Sequence, residues 1–226
     1  MTALWTIVPV KDTQASKQRL GACLIGEQRR ALALVMLEDV LAAIAVATGL
    51  ERCLIVTVDP EATAMAGRLG ARVLTEGATQ GHTGAVMAAA RLLAAEGAGG
   101  FLTLPGDIPG VSPAEIAQLL AAHRGAPAFT IAPAHDELGS NAVACSPPGA
   151  VPLRFGDNSF FPHLDAARRA GIAPTVLHLP GIALDIDTPE DLARFMRVKP
   201  QVPTRTFRFL EGLRAAPLTA GQGECA

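Results

Sequence analysis

Short apolar runs alternate with longer segments of helical periodicity along most of the chain. The runs at Leu4–Val10 and Cys53–Val58 are rich in branched residues and end at turn-forming residues, which is typical of buried strands. The segments Glu27–Ala47 and Thr83–Glu96 place apolar residues at the spacing of a helix. The same signals predict further strands at 72–74, 101–104, 128–132, 141–145 and 175–179, and helices at 61–69, from Ser112 onward and at 160–170. This alternation predicts an α/β fold, a three-layer sandwich in which helices cover both faces of a mostly parallel sheet.

The end of the chain departs from this pattern. Residues 1–198 carry the alternating elements, and we expect them to form one domain. Residues 199–226 lose the periodicity and contain several prolines and small polar residues. We therefore predict a tail outside the core, which is flexible or docks on a partner subunit of a homodimer through Phe207, Phe209 and Leu210.

Composition excludes several classes of function. Half of the 226 residues are hydrophobic and the formal net charge is −2, so the chain offers no basic surface for nucleic acid. The most apolar stretch, Ala31–Ala47, is interrupted by Glu38 and Asp39, so we expect a helix whose acidic residues face water and no membrane span. The N-terminus lacks the pattern of a secretory signal, which favours a cytoplasmic location.

The cysteines and histidines show no spacing that is typical of a metal site. Cys23, Cys53, Cys145 and Cys225 form no CxxC pair, and without a secretory context we predict four free thiols. The five histidines show neither HxxxH nor HExxH spacing. We expect any bound metal ion to be hard and coordinated by oxygen.

The stretch FLTLPGDIPG at 101–110 brings one carboxylate to the end of a predicted strand. Pro105 and Pro109 stiffen the turn, and Gly106 permits close approach of a ligand. We therefore expect Asp107 to be held at the edge where open α/β sheets bind ligands. A fixed carboxylate suits a metal ion, and the alternative is that Asp107 caps a turn.

A second acidic cluster lies in LDIDTPED at 184–191. If the segment is extended, Asp185 and Asp187 project to the same face, close enough to share one or two divalent cations. Two unpaired carboxylates there would repel each other, which favours a bound cation. Thr188 or Asp187 also fits the N-cap of a following helix, so Asp187 has a structural alternative that does not extend to Asp185.

The loop after the first strand is a candidate for phosphate binding. It places Lys11, Lys17 and Arg19 beside Thr13 and Ser16, and all five side chains can donate hydrogen bonds to phosphate oxygens. A solvated basic loop is the alternative.

A second candidate loop is rich in proline and glycine and precedes the helix at 160–170. It carries Arg154, Phe155, Gly156 and Ser159. Ser159 fits the N-cap, which would make the helix N-terminus an anion site to which Arg154 adds charge. The alternative is a capping serine beside a structural arginine.

Several segments together resemble one family. They are PVK at 9–11 with KQRL at 17–20, LPGDIPG at 104–110, SNAV at 140–143, RFGDNSF at 154–160 and LDIDTPEDL at 184–192. Over most of residues 1–198 the chain resembles the guanylyltransferases of coenzyme F420 biosynthesis, the CofC/FbiD family, which is similar to molybdenum-cofactor and sugar-nucleotide transferases. The resemblance implies a Rossmann-like nucleotidyltransferase fold of the GT-A type. It also implies that a three-carbon phosphorylated acid attacks the α-phosphorus of GTP and releases pyrophosphate.

The resemblance implies roles for single residues. The Mg²⁺ ligands would be Asp107, Asp185 and Asp187. The catalytic residues would be Lys11, Lys17, Arg19 and Asp107. The nucleotide would be bound by Pro9, Val10, Lys11, Lys17, Arg19, Gly81, Thr83 and Gly106. The acceptor acid would be bound by Asn141, Arg154, Gly156 and Ser159. One departure is Gly81-His82-Thr83, which stands where the family usually has Gly-Leu-Asn and puts recognition of the base or ribose in question.

The expected partners are GTP and a small phosphorylated acid. Positioning and charge neutralisation suffice for this chemistry, so no nucleophilic side chain is required. The alternatives are another nucleotidyltransferase for molybdopterin or a sugar phosphate, a metal-dependent glycosyltransferase, and a nucleotide-binding regulatory domain. Among 3-phospho-D-glycerate, phosphoenolpyruvate and 2-phospho-L-lactate, the Asn141 amide, which can donate and accept, favours the hydroxylated 3-phosphoglycerate.

Overall fold

Seven strands form one mixed sheet in the computed structural model, which describes residues 4–156, 158–198 and 204–215. The strands are β1 (Trp5–Pro9), β2 (Cys53–Val56), β3 (Arg72–Leu74), β4 (Phe101–Thr103), β5 (Ala128–Pro133), β6 (Ser140–Ser146) and β7 (Thr175–Val176). Their order is β3-β2-β1-β4-β6-β5-β7, and β6 alone runs antiparallel to its neighbours. The predicted α/β fold with a mostly parallel sheet is confirmed.

Helices connect the strands. The α-helices of the described residues are α1 (Gly26–Thr48), α2 (Pro60–Leu69), α3 (Gly81–Ala95), α4 (Pro113–Ala122), α5 (Phe160–Arg169), α6 (Pro180–Ala183), α7 (Pro189–Val198) and α8 (Arg205–Ala215). Two short 3₁₀ helices, Thr13–Ala15 and Gln18–Ala22, lie in the loop after β1. Helix α4 begins as predicted, because Ser112 Oγ accepts the N–H of Glu115 and Glu115 accepts the N–H of Ser112.

Side chains of the central strands alternate between two apolar layers. In β1, Ile7 packs in the layer that contains α3 and α5, whereas Val8 packs in the layer that contains α1, α2 and α4. Leu54 and Ile55 of β2 divide in the same way. Burial of both faces explains why these strands read as continuous apolar runs in the sequence.

Helix α1 is long and apolar enough to cross a membrane, judged by length and composition alone. In the structure it is a core helix, because Leu37, Val40, Leu41 and Ile44 are buried in the apolar layer on one face of the sheet. The predicted role of this segment as a helix of a globular core therefore fits its packing.

Asp39 lies in the interior, although the sequence predicted that it faces water. The residue is 8% exposed, and its carboxylate accepts the N–H of Arg205 at 2.9 Å and the N–H of Thr206 at 2.8 Å. These are N–H groups of the first turn of α8, which have no partner within the helix. A carboxylate at that position is favoured as a hydrogen-bond acceptor and by the helix dipole, and these contacts offset the cost of burying its charge.

Helix α8 corrects the prediction that the segment 199–226 lies outside the core. Its residues Phe207 and Leu210 are buried against Leu32 and Met36 of α1. The prediction missed this helix because the acceptor that starts it lies on α1, far away in the sequence, and the segment itself is short and flanked by prolines. The rest of the predicted tail lies outside the described residues.

The prediction of four free thiols is wrong for Cys23, which is disulfide-bonded. Cys53 and Cys145 are free and buried, as predicted. Burial raises the pKa of the Cys53 thiol to about 12, so this group is not a reactive thiolate. Cys225 lies outside the described residues.

Asp59 ties the loop after β1 to the end of β2. Its Oδ2 accepts the backbone N–H of Thr13 at 2.9 Å and the hydroxyl of Thr13 at 2.6 Å. Its Oδ1 accepts the N–H groups of Glu61 and Ala62, each at 2.9 Å, and so caps α2. Burial would raise the pKa of Asp59, but the hydrogen bonds from Thr13, Ala62 and Glu61 outweigh it and hold this pKa below its ordinary value.

Replacing Asp39 by alanine should destabilise the protein, because two N–H groups at the start of α8 lose their acceptor. We expect the free energy of unfolding to fall by about 2 kcal/mol. The matched control is Glu38→Ala, which removes the neighbouring acid, whose contact with Arg205 is partly exposed and long at 3.6 Å. The control should cost about 0.5 kcal/mol. Urea denaturation measures both values, and equal losses would contradict the capping role of Asp39.

The stability that Asp59 supplies should depend on pH. Because the pKa of Asp59 is lower in the folded than in the unfolded state, this stability is present above about pH 4 and is lost as the pH falls through the folded pKa. Asp59→Asn should therefore destabilise most near neutral pH, and its difference from wild type should shrink in acid. Urea denaturation from about pH 7 to about pH 3 tests this, with the exposed Asp12→Asn as control. A difference that stays constant over this range would refute the ionic contribution.

Candidate active site

An open cleft of about 210 Å³ lies at the carboxyl ends of β1 and β4. In the sheet, β2 lies on one side of β1 and β4 lies on the other, so the strand order changes direction at β1. The cleft therefore lies at a topological switch point of the sheet. The cleft is lined by these predicted site residues: Pro9, Val10, Lys11, Lys17, Gly81, Gly106, Asp107 and Asp187. Ala33, Met36 and Leu37 of α1 add an apolar wall. The structure thus brings the first loop, the start of α3 and both acidic segments to one place.

Lys17 joins the two acidic segments. Its Nζ lies 2.6 Å from Asp107 Oδ2 and 2.6 Å from Asp187 Oδ1, and its side chain is 6% exposed. Burial would lower the pKa of Lys17, but the charges of Asp107 and Asp187 outweigh it and raise this pKa. Burial would likewise raise the pKa of Asp107, but the Lys17 ammonium holds it below its ordinary value. Lys17 and Asp107 are therefore both charged at neutral pH.

The backbone of Lys17 is held in an uncommon conformation. Its φ of 53° and ψ of 37° lie in the left-handed region, which a residue with a side chain rarely adopts. Such backbone conformations cluster at functional sites, where the surrounding structure maintains them. Here the loop is pinned at Thr13 by Asp59, and the Lys17 ammonium is fixed by two carboxylates.

The segment that carries Asp185 and Asp187 lies directly beside Asp107. The N–H of Ile186 donates to the carbonyl oxygen of Asp107 at 3.1 Å. Leu184 and Ile186 are buried while Asp185 and Asp187 are partly exposed, so the two acids share a face as the alternation predicted. Burial raises the pKa of Asp185, and the charges of Asp107 and Asp187 raise it further.

Thr188 caps helix α7, which removes the structural alternative for Asp187. Thr188 Oγ1 accepts the N–H of Asp191 at 3.2 Å, and Asp191 Oδ2 accepts the N–H of Thr188 at 2.9 Å. This reciprocal pair satisfies the helix start. The carboxylate of Asp187 is directed to Lys17 instead.

The chemistry of the acidic cluster fits a hard divalent cation. Carboxylate oxygens are the ligands that Mg²⁺ prefers, and the charges of Asp107, Asp185 and Asp187 are close enough to shift the pKa of Asp185. In the arrangement described here, the Lys17 ammonium lies between two of these carboxylates. Within residues 4–156, 158–198 and 204–215, no group of three or more His, Cys, Asp or Glu residues is arranged to hold a metal ion. The Mg²⁺ site therefore stays a prediction.

Asn141 connects the acidic cluster to the predicted acceptor site. Its Nδ2 lies 3.0 Å from Asp185 Oδ1, 3.0 Å from the carbonyl oxygen of Ile182 and 3.2 Å from that of Ala183. The amide N–H groups are therefore used within the protein. The sequence favoured 3-phosphoglycerate because the Asn141 amide can both donate and accept. The donor part of that reason no longer holds, since the donors are used within the protein.

Ser159 does not cap α5, which corrects the prediction. The helix begins after Ser159, but the side chain makes no capping hydrogen bond and the residue has helical backbone angles. Its buried hydroxyl donates instead to Ser140 Oγ at 3.1 Å. Ser140 Oγ lies 2.9 Å from Nδ1 of His163, whose Nε2 accepts the N–H of Arg154 at 2.9 Å. Because Nε2 is an acceptor, Nδ1 carries the proton, and burial lowers the pKa of His163 to about 4.

Seven predicted site residues lie outside the lining of the cleft, namely Arg19, Thr83, Asn141, Arg154, Gly156, Ser159 and Asp185. Arg19 is exposed on the second 3₁₀ helix, and Arg154 and Gly156 are exposed on the loop before α5. The hydroxyl of Thr83 bonds to the backbone of Phe155, as donor at 3.2 Å and as acceptor at 2.9 Å. The structure does not bring Arg19 to Lys11 and Lys17 at the cleft.

Sequence reasoning missed the residues that support the site. Asp59-Pro60 was interpreted as a strand end, because the partner Thr13 lies 46 residues away. His163 lies in an amphipathic helix and gives no local signal. His82 lines the cleft and stacks on Phe155 with ring centroids 4.3 Å apart. The departure from the family motif at Gly81-His82-Thr83 was the one signal that pointed to it.

Comparison with known proteins places these residues in a family. A sequence model described as guanylyl transferase CofC like matches residues 4–216. A phosphoenolpyruvate guanylyltransferase from Rubrobacter xylanophilus is 41% identical over 192 residues, which cover 85% of this chain and 93% of that protein. A 3-phospho-D-glycerate guanylyltransferase from Colwellia psychrerythraea is 37% identical over 186 residues, which cover 82% of this chain and 88% of that protein.

A solved structure shares the fold. It is a protein described as a nucleotide-diphospho-sugar transferase from Desulfovibrio desulfuricans, with a TM-score of 0.74 and 18% identity. The superposition covers 95% of this chain and 96% of that one. The fold predicted from the resemblance is thereby confirmed as that of nucleotidyltransferases. With its sequence matched almost from end to end, the chain belongs to the family of CofC-like guanylyl transferases.

Proposed function

We propose that the protein is a guanylyltransferase of coenzyme F420 biosynthesis, which joins the GMP part of GTP to a three-carbon phosphorylated acid and releases pyrophosphate. The observation that carries the proposal is the group formed by Lys17, Asp107 and Asp187 at the switch-point cleft of a chain in this family. Membership of the family and the names of its relatives support guanylyl transfer.

The cleft would bind the nucleotide. Lys11 is exposed and lines the cleft, and Lys17 lies at its acidic end, so both can neutralise phosphate oxygens. Thr13 and Ser16 also line the cleft, but their hydroxyls bond to Asp59 and to a backbone carbonyl. We therefore assign the triphosphate clamp to Lys11 and Lys17, with Arg19 outside it.

We further propose that Asp107, Asp185 and Asp187 hold Mg²⁺, which would neutralise charge on the triphosphate and on the leaving pyrophosphate. The low pKa of Asp107 keeps one ligand ionised at neutral pH. The hydrogen bond from Asn141 orients the carboxylate of Asp185.

No side chain of the protein has to act as a nucleophile. A phosphate oxygen of the acceptor forms the new bond to the α-phosphorus of GTP, and the bond between the α-phosphorus and the bridging oxygen breaks. Pyrophosphate carries away the electron pair. The protein contributes positioning and electrostatic stabilisation, which suffice for this class of reaction.

We propose phosphoenolpyruvate as the acceptor. Two observations support it over the 3-phosphoglycerate that the sequence favoured. The donors of Asn141 are used within the chain, and a relative that is 41% identical is named for phosphoenolpyruvate. The burial of α1 and the formal net charge of −2 also support a cytoplasmic enzyme that acts on small molecules.

Purified protein should release pyrophosphate from GTP when it is given Mg²⁺ and an acceptor acid. We expect phosphoenolpyruvate to give the dominant product when it competes with equal concentrations of 3-phosphoglycerate and 2-phospholactate, with product masses read by mass spectrometry. A dominant 3-phosphoglycerate product would restore the earlier preference. The proposed function would be refuted if none of the three acids supported release of pyrophosphate. It would also be refuted if the protein consumed a UDP-sugar without releasing pyrophosphate.

Asp187→Asn should lower kcat about 100-fold to 1000-fold, because one electrostatic stabiliser of the transition state is lost. The matched control is Glu190→Gln, which removes the same charge three residues later, at an exposed position of α7. The control should retain activity within about twofold, since it touches neither Lys17 nor the cleft. Activity is measured over a Mg²⁺ titration. Near-normal turnover of folded Asp187→Asn at limiting Mg²⁺ would contradict the metal assignment.

A further inference from the structure

Two adjacent side chains at the start of α3 contact Phe155, which lies 72 residues further along the chain. The hydroxyl of Thr83 donates to the carbonyl oxygen of Phe155 at 3.2 Å and accepts the N–H of the same residue at 2.9 Å. The ring of His82 stacks on the ring of Phe155, with centroids 4.3 Å apart and an angle of 27° between the planes. One loop residue is therefore held by both its backbone and its ring.

Phe155 belongs to the loop between β6 and α5, and we call its described residues, 147–156 and 158–159, the acceptor loop. This loop contains no regular structure in its described residues. His163 of α5 also holds this loop, because its Nε2 accepts the N–H of Arg154 and its ring meets Phe155 edge-on at 5.0 Å. The backbone N–H groups of Arg154 and Phe155 and the carbonyl oxygen of Phe155 therefore have hydrogen-bond partners within the protein and do not need water.

His82 also forms part of the cleft wall. It lines the cleft together with Gly81 and Asp107, whereas Phe155 does not line it, so the imidazole lies between the cleft and the acceptor loop. Burial lowers the pKa of His82 to about 4, although Asp107 acts in the opposite direction, so the ring is neutral at pH 7. Its buried Nε2 has no hydrogen-bond partner among the described residues. The ring serves as an uncharged packing surface.

We propose that Thr83 and His82 are positioning residues that hold the acceptor loop so that it can bind the phosphorylated acid. The proposal rests on the proposed function, and it places the acid at this loop because the predicted acceptor residues Arg154, Gly156 and Ser159 lie on it. It differs from the role predicted for Thr83, which was contact with the nucleotide. Thr83 acts through Phe155, and the geometry predicts that its loss changes binding of the acid and leaves binding of GTP intact.

Thr83→Val tests the clamp, because valine keeps the shape of threonine and removes both hydrogen bonds. We expect the KM for the acid to rise about 10-fold to 100-fold, which corresponds to the loss of one or two hydrogen bonds. The KM for GTP should stay within about twofold. Thr83→Ser keeps the hydroxyl and should restore the KM for the acid. Thr63→Val, at an exposed threonine of α2, is the matched control and should change neither constant.

His82 is tested by the KM for the acid alone, because its ring also lines the cleft assigned to the nucleotide. His82→Phe keeps an aromatic ring against Phe155 and should retain a KM for the acid within about threefold of wild type, whereas His82→Ala should raise it about 10-fold. An equal loss in both variants would show that the imidazole itself contacts a substrate, and would overturn the packing role.

Hydrogen exchange supplies a readout that does not depend on activity. The amides of Arg154 and Phe155 should exchange at least about 10-fold faster in Thr83→Val than in wild type and in Thr63→Val. Unchanged exchange together with an unchanged KM for the acid overturns the proposal, as does an equal rise of both KM values. If the wild-type protein releases no pyrophosphate with any acid, the proposed function and the acceptor role both fail, and the exchange rates still decide whether Thr83 clamps the loop.

Discussion

The geometry of the active-site edge depends on a positive charge that compensates the negative charges of three carboxylates, which the fold brings together. Asp107 follows β4, and Asp185 and Asp187 lie on a segment bonded to its backbone, so their charges would repel one another without a nearby cation. Lys17, whose side chain is 6% exposed, provides that charge to the partly exposed carboxylates of Asp107 and Asp187. The position of Lys17 depends in turn on a loop that Asp59 pins at Thr13. The geometry of the site is thus set by side-chain contacts between segments that are distant in the sequence.

The single antiparallel strand explains how the second half of the site reaches the same edge. In a parallel sheet the carboxyl ends of the strands meet at the ligand edge. Because β6 runs the opposite way, its first residues, Ser140 and Asn141, arrive there instead. Asn141 then bonds to Asp185, and Ser140 accepts the hydroxyl of Ser159. Two neighbouring residues of β6 therefore link the acidic cluster and the acceptor loop, each by its own hydrogen bond.

Patterns within one element predicted most of the fold, because periodicity and strand-end residues report local geometry. The mostly parallel sheet, the start of α4 at Ser112 and the common face of Asp185 and Asp187 all follow from such patterns. The errors concern contacts between distant segments. Asp39 was placed in water because its partners lie 166 and 167 residues away, at the start of α8. Ser159 was read as a cap because the competing acceptor, Ser140, is a neighbour only in the folded chain.

The same distinction explains why the acceptor acid is the hardest property to infer. The two relatives described here are 41% and 37% identical to this chain and are named for different acids. Overall similarity therefore identifies the family and favours phosphoenolpyruvate by only a small margin of identity. Both acids carry a phosphate and a carboxylate, so charge does not separate them either, and a methyl-sized difference in a pocket is worth only about 1–3 kcal/mol. Discrimination of that size needs few contacts. In the function proposed above, the acceptor loop supplies these contacts, since the amide donors of Asn141 are already bonded to the chain.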